Sequence, residues 1–179
     1  MGISPNTARK WLSVLQASGQ VLLLEPYFRN VGKRLVKSPK LHFCDSGLAA
    51  FLMGFTRAGE LARHQLAGQL WESLCVMEVV KVLSARAGRL PLWFWRTSSG
   101  DEVDLVVERD GRFLLVECKF TQHPAEADLK GIRKFMADYG RESVAAAFVA
   151  CRAPEPYPLT GGVTAVPVHS LGKLVGEDL

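Results

Sequence analysis

An α/β fold with a mixed sheet and flanking helices is what this chain predicts, on three observations. Apolar runs of strand length alternate with amphipathic stretches of helical length. One such helical stretch stands between two of the runs, which asks for a mixed sheet with helices on its faces. An Asp-Gly pair joins two of the runs as a tight hairpin.

The elements follow in order. SPNTARKWLSVLQASG predicts a helix with Ser4 as N-cap, Pro5 in its first turn and Gly19 as its left-handed stop. VLLLEPYF and RLVKSPKLHFC, joined by RNVGK, predict a hairpin with basic residues on its loop and second strand. A helix followed by a basic hairpin is the back half of a winged helix-turn-helix, so residues 1–55 are expected to form a partial winged-helix-like segment. Within it Asp45 or Ser46 caps a short helix, GLAAFLMGF. Residues 56–67 form a polar connector, and a second unit spans 68–179.

In that unit GQLWESLCVMEVVKVLSARAG has helical spacing, with Gly88 as its stop. LPLWFWRT, EVDLVVE and RFLLVECKF predict three strands, PAEADLKGIRKFMADYG an amphipathic helix ended by Gly140, and SVAAAFVAC a fourth strand. GVTAVPVH predicts a fifth, which Pro167 places at an edge.

The composition, 48% hydrophobic and 22% charged over 179 residues, allows one large domain or two small ones. No signal-peptide pattern or bilayer-length apolar run is present, so a cytoplasmic protein without membrane contact is expected. Cys44, Cys75, Cys118 and Cys151 are scattered without a CxxC pair, which argues against a disulfide framework or structural zinc. Residues 1–45 hold seven basic and two acidic residues, a net of +5, and the rest of the chain nets −1. This bias points towards a polyanion. Candidate phosphate contacts are Arg9 and Lys10 on the first helix, Arg29, Lys33 and Arg34 on the wing, and Arg96 at the end of the first strand of the second unit.

The hairpin concentrates the chemistry. With Asp110 and Gly111 as its loop, Arg109 faces Arg112, Asp104 faces Glu117 and Glu102 faces Lys119. Strict alternation then puts Val103, Leu105, Val107, Leu114, Val116, Cys118 and Phe120 on a core face. Glu102, Asp104, Glu117 and Lys119 gather at one end of the other face. Like charges directly opposite one another are unfavourable unless something compensates them. Two converging carboxylates suit a hard divalent cation, Mg²⁺ or Mn²⁺, and the lysine can orient a water or hold a phosphate. A plain Glu102–Lys119 ion pair at a wet sheet end is the alternative.

Asp104, twelve intervening residues, then Glu117-Cys118-Lys119, with a helix before and an α-β-β tail after, resembles the PD-(D/E)XK nuclease superfamily. Val103 stands where that family usually has proline. The resemblance implies a restriction-endonuclease-like fold and Mg²⁺-dependent DNA cleavage. Asp104, Glu117 and the Cys118 carbonyl would ligate the metal, with Lys119 positioning the attacking water. ISPNTARKWLSVLQASGQV, KRLVKSPKLHFCDSGLAAFL, GQLWESLCVMEVVK, WFWRTSSGDEVDLVVE and LLVECKF, in that order, resemble DUF4143, a domain of unknown function at the C-terminus of prokaryotic AAA-type P-loop ATPases. That resemblance implies a separate or missing ATPase domain as partner, since this chain has no GxxxxGK[ST]. It also implies an acid on the first helix of the second unit: Glu72, in the Gly68-to-Glu72 pattern, is favoured over Glu78 as a catalytic residue and metal ligand.

Two functions follow as expectations: a metal-dependent DNA nuclease, or a non-catalytic DNA- or partner-binding module that regulates the ATPase. Self-association through the apolar face of the first segment is a further expectation.

Overall fold

The computed structural model of the chain describes residues 2–28, 38–85 and 90–177. The chain opens with α1 (Pro5–Ala17), whose N-cap Ser4 accepts a hydrogen bond from the Thr7 N–H. An antiparallel pair follows, β1 (Val21–Leu24) with β2 (Lys40–Phe43), Leu24 opposite Lys40. The predicted turn between them, with Arg29, Lys33 and Arg34, lies outside the described residues, as does Gly88. Asp45 caps α2 (Ser46–Leu52). The connector expected at 56–67 holds one helical turn, α3 (Ala58–Leu61), before α4 (Ala67–Ser84).

The remaining elements build a six-stranded mixed sheet in the order β3-β4-β5-β6-β8-β7. The strands are β3 (Leu92–Arg96), β4 (Glu102–Arg109), β5 (Arg112–Cys118), β6 (Val144–Cys151), β7 (Tyr157–Pro158) and β8 (Thr164–Pro167). β3, β4 and β5 are antiparallel neighbours, whereas β5–β6 and β6–β8 are parallel. The crossover from β5 to β6 runs through a 3-10 turn (Glu126–Leu129) and α5 (Lys130–Tyr139).

Helices cover both faces. Cys75, Val76 and Val79 of α4 pack with Leu105, Leu114 and Val116 on one side. Ile132 and Phe135 of α5 pack with Val106, Phe113 and Leu115 on the other. A helix that the sequence reading did not include, α6 (Val168–Glu177), lies on α4 and buries Leu171 and Val175. Its Gly172 faces Val82 and the Glu78 carbonyl closely. The glycines weaken the helical signal locally, and packing on α4 outweighs that loss.

The N-terminal segment is docked on this sheet. The Phe94 N–H donates to the Glu25 carbonyl at 3.1 Å, and the Tyr27 N–H donates to the Phe94 carbonyl at 2.7 Å. Residues 25–27 therefore cover the outer edge of β3, which would otherwise present unpaired backbone groups. Leu24 enters the α4-side core, and Tyr27 enters the α5-side core, edge-on to Trp93 and Phe113.

The hairpin register is as predicted, from Arg109 opposite Arg112 to Leu105 opposite Val116. Asp110 (φ 51°) and Gly111 (φ 79°) both take the left-handed conformation that a two-residue loop of this kind requires. The predicted face assignment needs correction. Trp93 pairs with Val106 and Trp95 with Val103, so both Asp104 and Leu105 stand opposite Phe94. This one-residue bulge interrupts the alternation. Val103 accordingly joins Trp95 in the α5-side core, apart from Leu105 and Val107 on the α4 side. The edge placement of Pro167 is also corrected. β8 lies between β6 and β7, but β7 pairs only as far as Ala165. Pro167 thus ends a strand whose outer neighbour has already stopped, where no ladder donor is needed.

Gly131 fixes how closely α5 approaches the sheet, because a Cβ built there would land on the Glu102 carbonyl oxygen. Overpacking against rigid backbone is not relieved by a rotamer change. Gly131→Ala should therefore cost roughly 3 kcal/mol of stability, read as a lower urea midpoint; an unchanged midpoint would show that α5 can retreat freely.

Candidate functional site

The splayed end of β4 and β5, the first turns of α4 and the 3-10 turn before α5 enclose an open cleft of about 590 Å³. Glu72, Glu102, Asp104, Glu117, Lys119 and Asp128 all line it. The bulge decides how they are grouped. Glu102 and Asp104 turn towards α4, where one oxygen from each of Glu72, Glu102 and Asp104 lies within 4.8 Å of the others. Glu117 and Lys119 stay on the α5 side. Lys119 Nζ lies 2.9 Å from Glu117 Oε1 and 3.8 Å from Asp128 Oδ1. The expected single row of Glu102, Asp104, Glu117 and Lys119 is therefore two groups at one sheet end, and Glu102 pairs with Arg96 (3.3 Å) and Lys40 instead of Lys119.

The two groups are joined through β5. Asp104 Oδ2 accepts the Cys118 N–H at 2.9 Å, which locks that carboxylate against the strand bearing Glu117 and Lys119. The Cys118 side chain packs in the α4-side core, as alternation predicts. Of the two candidate helix acids, Glu72 reaches the cleft, while Glu78 pairs with Lys81 at 2.5 Å. Trp71 anchors this turn of α4, its Nε1–H donating to the Ala150 carbonyl at 3.1 Å.

The residue that sequence reading missed is Lys40. Its Nζ lies 2.6 Å from Glu72 Oε1, 3.0 Å from Asp104 Oδ1, and in contact with Glu102. An ammonium from β2 thus sits among the three clustered carboxylates. Beside it, buried His42 shares a 3.2 Å hydrogen bond with Ser73. Asp128 was also missed as a site residue. It caps its own turn through the Ala125 N–H at 2.8 Å and presents its other oxygen to Lys119. Nothing local marks either residue, since Lys40 is 32 residues from Glu72 and 64 from Asp104. Among the proposed phosphate contacts, Arg96 flanks the site through Glu102. Arg9 and Lys10 lie exposed on α1 and are not among the residues lining the cleft.

The donor set suits a hard divalent cation on two grounds. It is built of carboxylate oxygens, the ligands that Mg²⁺ and Mn²⁺ take. One of them, Glu117 Oε2, is buried without a hydrogen-bond partner.

Residues 67–171 match the family described as "Domain of unknown function (DUF4143)". Residues 1–59 match another, "Domain of unknown function (DUF8612)". Two proteins described as uncharacterized, from Mycobacterium bovis and Mycobacterium tuberculosis, are each 30% identical over 171 residues. The matched region is 96% of this chain and 37% of either relative, so the chain spans little more than a third of their length. Among the described residues no helix is long and apolar enough to cross a membrane.

Burial and the neighbouring charge of Asp104 push the Glu117 carboxyl up to about 8, against the pull of Lys119. The same two causes, opposed by Lys40, bring Glu72 to about 7. Burial pulls Lys40 down, but Asp104, Glu72 and Glu102 outweigh it and hold it above the ordinary lysine range. His42 is pushed down to about 4 by burial and then by the charge of Lys40, so it stays neutral. A carboxyl with a raised pKa stabilises the fold while protonated. The contribution of Glu117 is complete below its unfolded pKa of about 4.5 and is lost as pH rises through about 8. In metal-free buffer the wild type should therefore lose more stability than Glu117→Gln between about pH 5 and about pH 9, by on the order of 3 kcal/mol. Parallel stability–pH curves from denaturant melts would show that Glu117 is not held protonated.

Proposed function

The chain belongs to the DUF4143 family, and we propose that its acidic cleft is a divalent-metal site for hydrolysing phosphodiester bonds in DNA. The observation carrying this reading is the convergence of Glu72, Asp104, Glu117 and Lys119 in one open cleft at the end of a mixed sheet. The element order, the bulge that re-aims Asp104 and the Glu117-Cys118-Lys119 strand support assigning the second unit to a restriction-endonuclease-like fold. Helix α1 followed by the β1–β2 pair supports a partial winged helix before it. The greater length of the mycobacterial relatives leaves room for the P-loop ATPase partner. The exposed apolar side chains of Trp11 and Val14 on α1, and of Phe51 and Leu52 on α2, are available for that partner or a second copy.

The carboxylates lining the cleft repel a phosphodiester, so DNA can enter only if positive charge offsets them. Asp104, Glu117 and Glu72 would hold Mg²⁺ or Mn²⁺, with the Cys118 carbonyl as a further ligand. The ion would supply charge compensation at the scissile phosphate and a lowered pKa for a bound water. Asp104 is preset for its part, because the Cys118 N–H fixes one of its oxygens and leaves the other directed towards the cluster. Lys119, anchored between Glu117 and Asp128, can orient a water or contact a phosphate oxygen. Arg96, half-exposed beside Glu102, would contact the DNA backbone.

A second reading is favoured by the Lys40 contacts, which compensate the acidic cluster internally. On that reading the sheet is a non-catalytic scaffold that binds DNA or regulates a partner.

Cleavage of supercoiled plasmid in Mg²⁺ or Mn²⁺ separates the two. The nuclease reading expects nicking that falls on the order of a hundredfold or more in Lys119→Ala and in Asp104→Asn. Plasmid that stays intact, or nicking that survives Lys119→Ala, would remove the catalytic assignment.

A further inference from the structure

We propose that Lys40, carried on β2, is a built-in cation that competes with a divalent metal for Glu72 and Asp104, so that metal binding requires the lysine to leave them. The inference rests on the reading above that this cleft takes a divalent ion, and it adds how access to the ion is controlled.

The geometry carries it. Lys40 Nζ is 2.6 Å from Glu72, 3.0 Å from Asp104 and in contact with Glu102, the same three carboxylates whose oxygens lie within 4.8 Å of one another. An ion held by Asp104 and Glu72 together with Glu117 would draw on two of the carboxylates that Lys40 holds, so the two cations exclude each other. An acidic cluster alone would not point to a metal. Here Glu117, only 7% exposed, lines the same cleft with Oε2 buried and unpartnered. Lys40 does not satisfy that oxygen, so the site retains unused ligand capacity with the lysine in place.

The lysine's origin gives the competition a consequence. Lys40 lies in the N-terminal stretch 1–59, whereas the carboxylates lie in the DUF4143 stretch 67–171. Lys40 is held on β2 by the ladder to β1, directly opposite Leu24. Leu24 in turn is buried in the core beside α4. The side chain is 19% exposed while it holds the cluster, and leaving the carboxylates would expose it further. Metal binding and the pose of β2 are then coupled, and the coupling is reciprocal: whatever shifts β2 changes metal affinity by the same factor as metal shifts β2.

Mn²⁺ alone, titrated into the full chain and followed by electron paramagnetic resonance, tests the proposal on wild type, Lys40→Met and Lys40→Met/Asp104→Asn. Lys40→Met should bind Mn²⁺ at least about tenfold more tightly than wild type, within the usual range of coupling between sites. The added Asp104→Asn should abolish the gain. Equal affinity in wild type and Lys40→Met would overturn the competition while leaving the metal site standing. Absence of binding in both would overturn the metal site and the competition together. Should Lys40→Met fail to fold, acylation of Lys40 in the wild-type protein decides: labelling that rises several-fold when Mn²⁺ is added supports displacement, and unchanged labelling overturns it.

Discussion

Carboxylates crowded at the end of one sheet need a counter-charge, and the rest of the molecule is arranged around supplying it. Removing carboxylates from water is costly, and setting them beside one another adds repulsion. Two lysines meet that demand from opposite sides. Lys40 serves Glu72, Glu102 and Asp104, while Lys119 serves Glu117 and Asp128. The second arrangement is incomplete, because Glu117 keeps a buried oxygen without a partner. A site balanced by internal lysines yet short of full satisfaction is suited to exchanging one cation for another.

That demand also accounts for how the two parts of the chain are joined. The N-terminal segment contributes backbone to the outer edge of β3, Leu24 to one core, Tyr27 to the other and Lys40 to the acidic cluster. Edge pairing and apolar burial supply the stability of the dock, and they hold the strand that carries the lysine. Docking and charge compensation therefore depend on the same few residues. Displacing β2 would leave three carboxylates facing one another without their ammonium.

The bulge at Asp104 and Leu105 is the local device that makes the cluster. Strict alternation would keep Asp104 beside Glu117 on the α5 side. One extra residue against Phe94 sends Glu102 and Asp104 to the α4 side, within reach of Glu72 and Lys40. The Cys118 N–H then ties Asp104 back to β5, so the two groups still share one cleft.

Much of this was legible in the sequence, and the reasons are local ones. Most strands and helices carry apolar periodicity and marked ends, whereas the two-residue β7 lies in a Pro-rich stretch that reads as a loop. The hairpin register follows from the left-handed preference of Asp110-Gly111, and the candidacy of Asp104, Glu117 and Lys119 follows from that register. Helix α6 escaped because Gly172 and Gly176 lower its propensity, which only its packing on α4 restores. The bulge escaped because it comes from pairing with β3, and the spacing along β4 does not record it. Lys40 escaped for the most general reason. Electrostatic partnership acts through distance in space, and no pattern in a window of neighbouring residues encodes a contact between a strand and a sheet end 64 residues away. The sequence by itself determined the elements, the hairpin and the residue types available for chemistry. The tertiary structure alone decided which of those charges meet, because only the docked fold brings them within reach of one another.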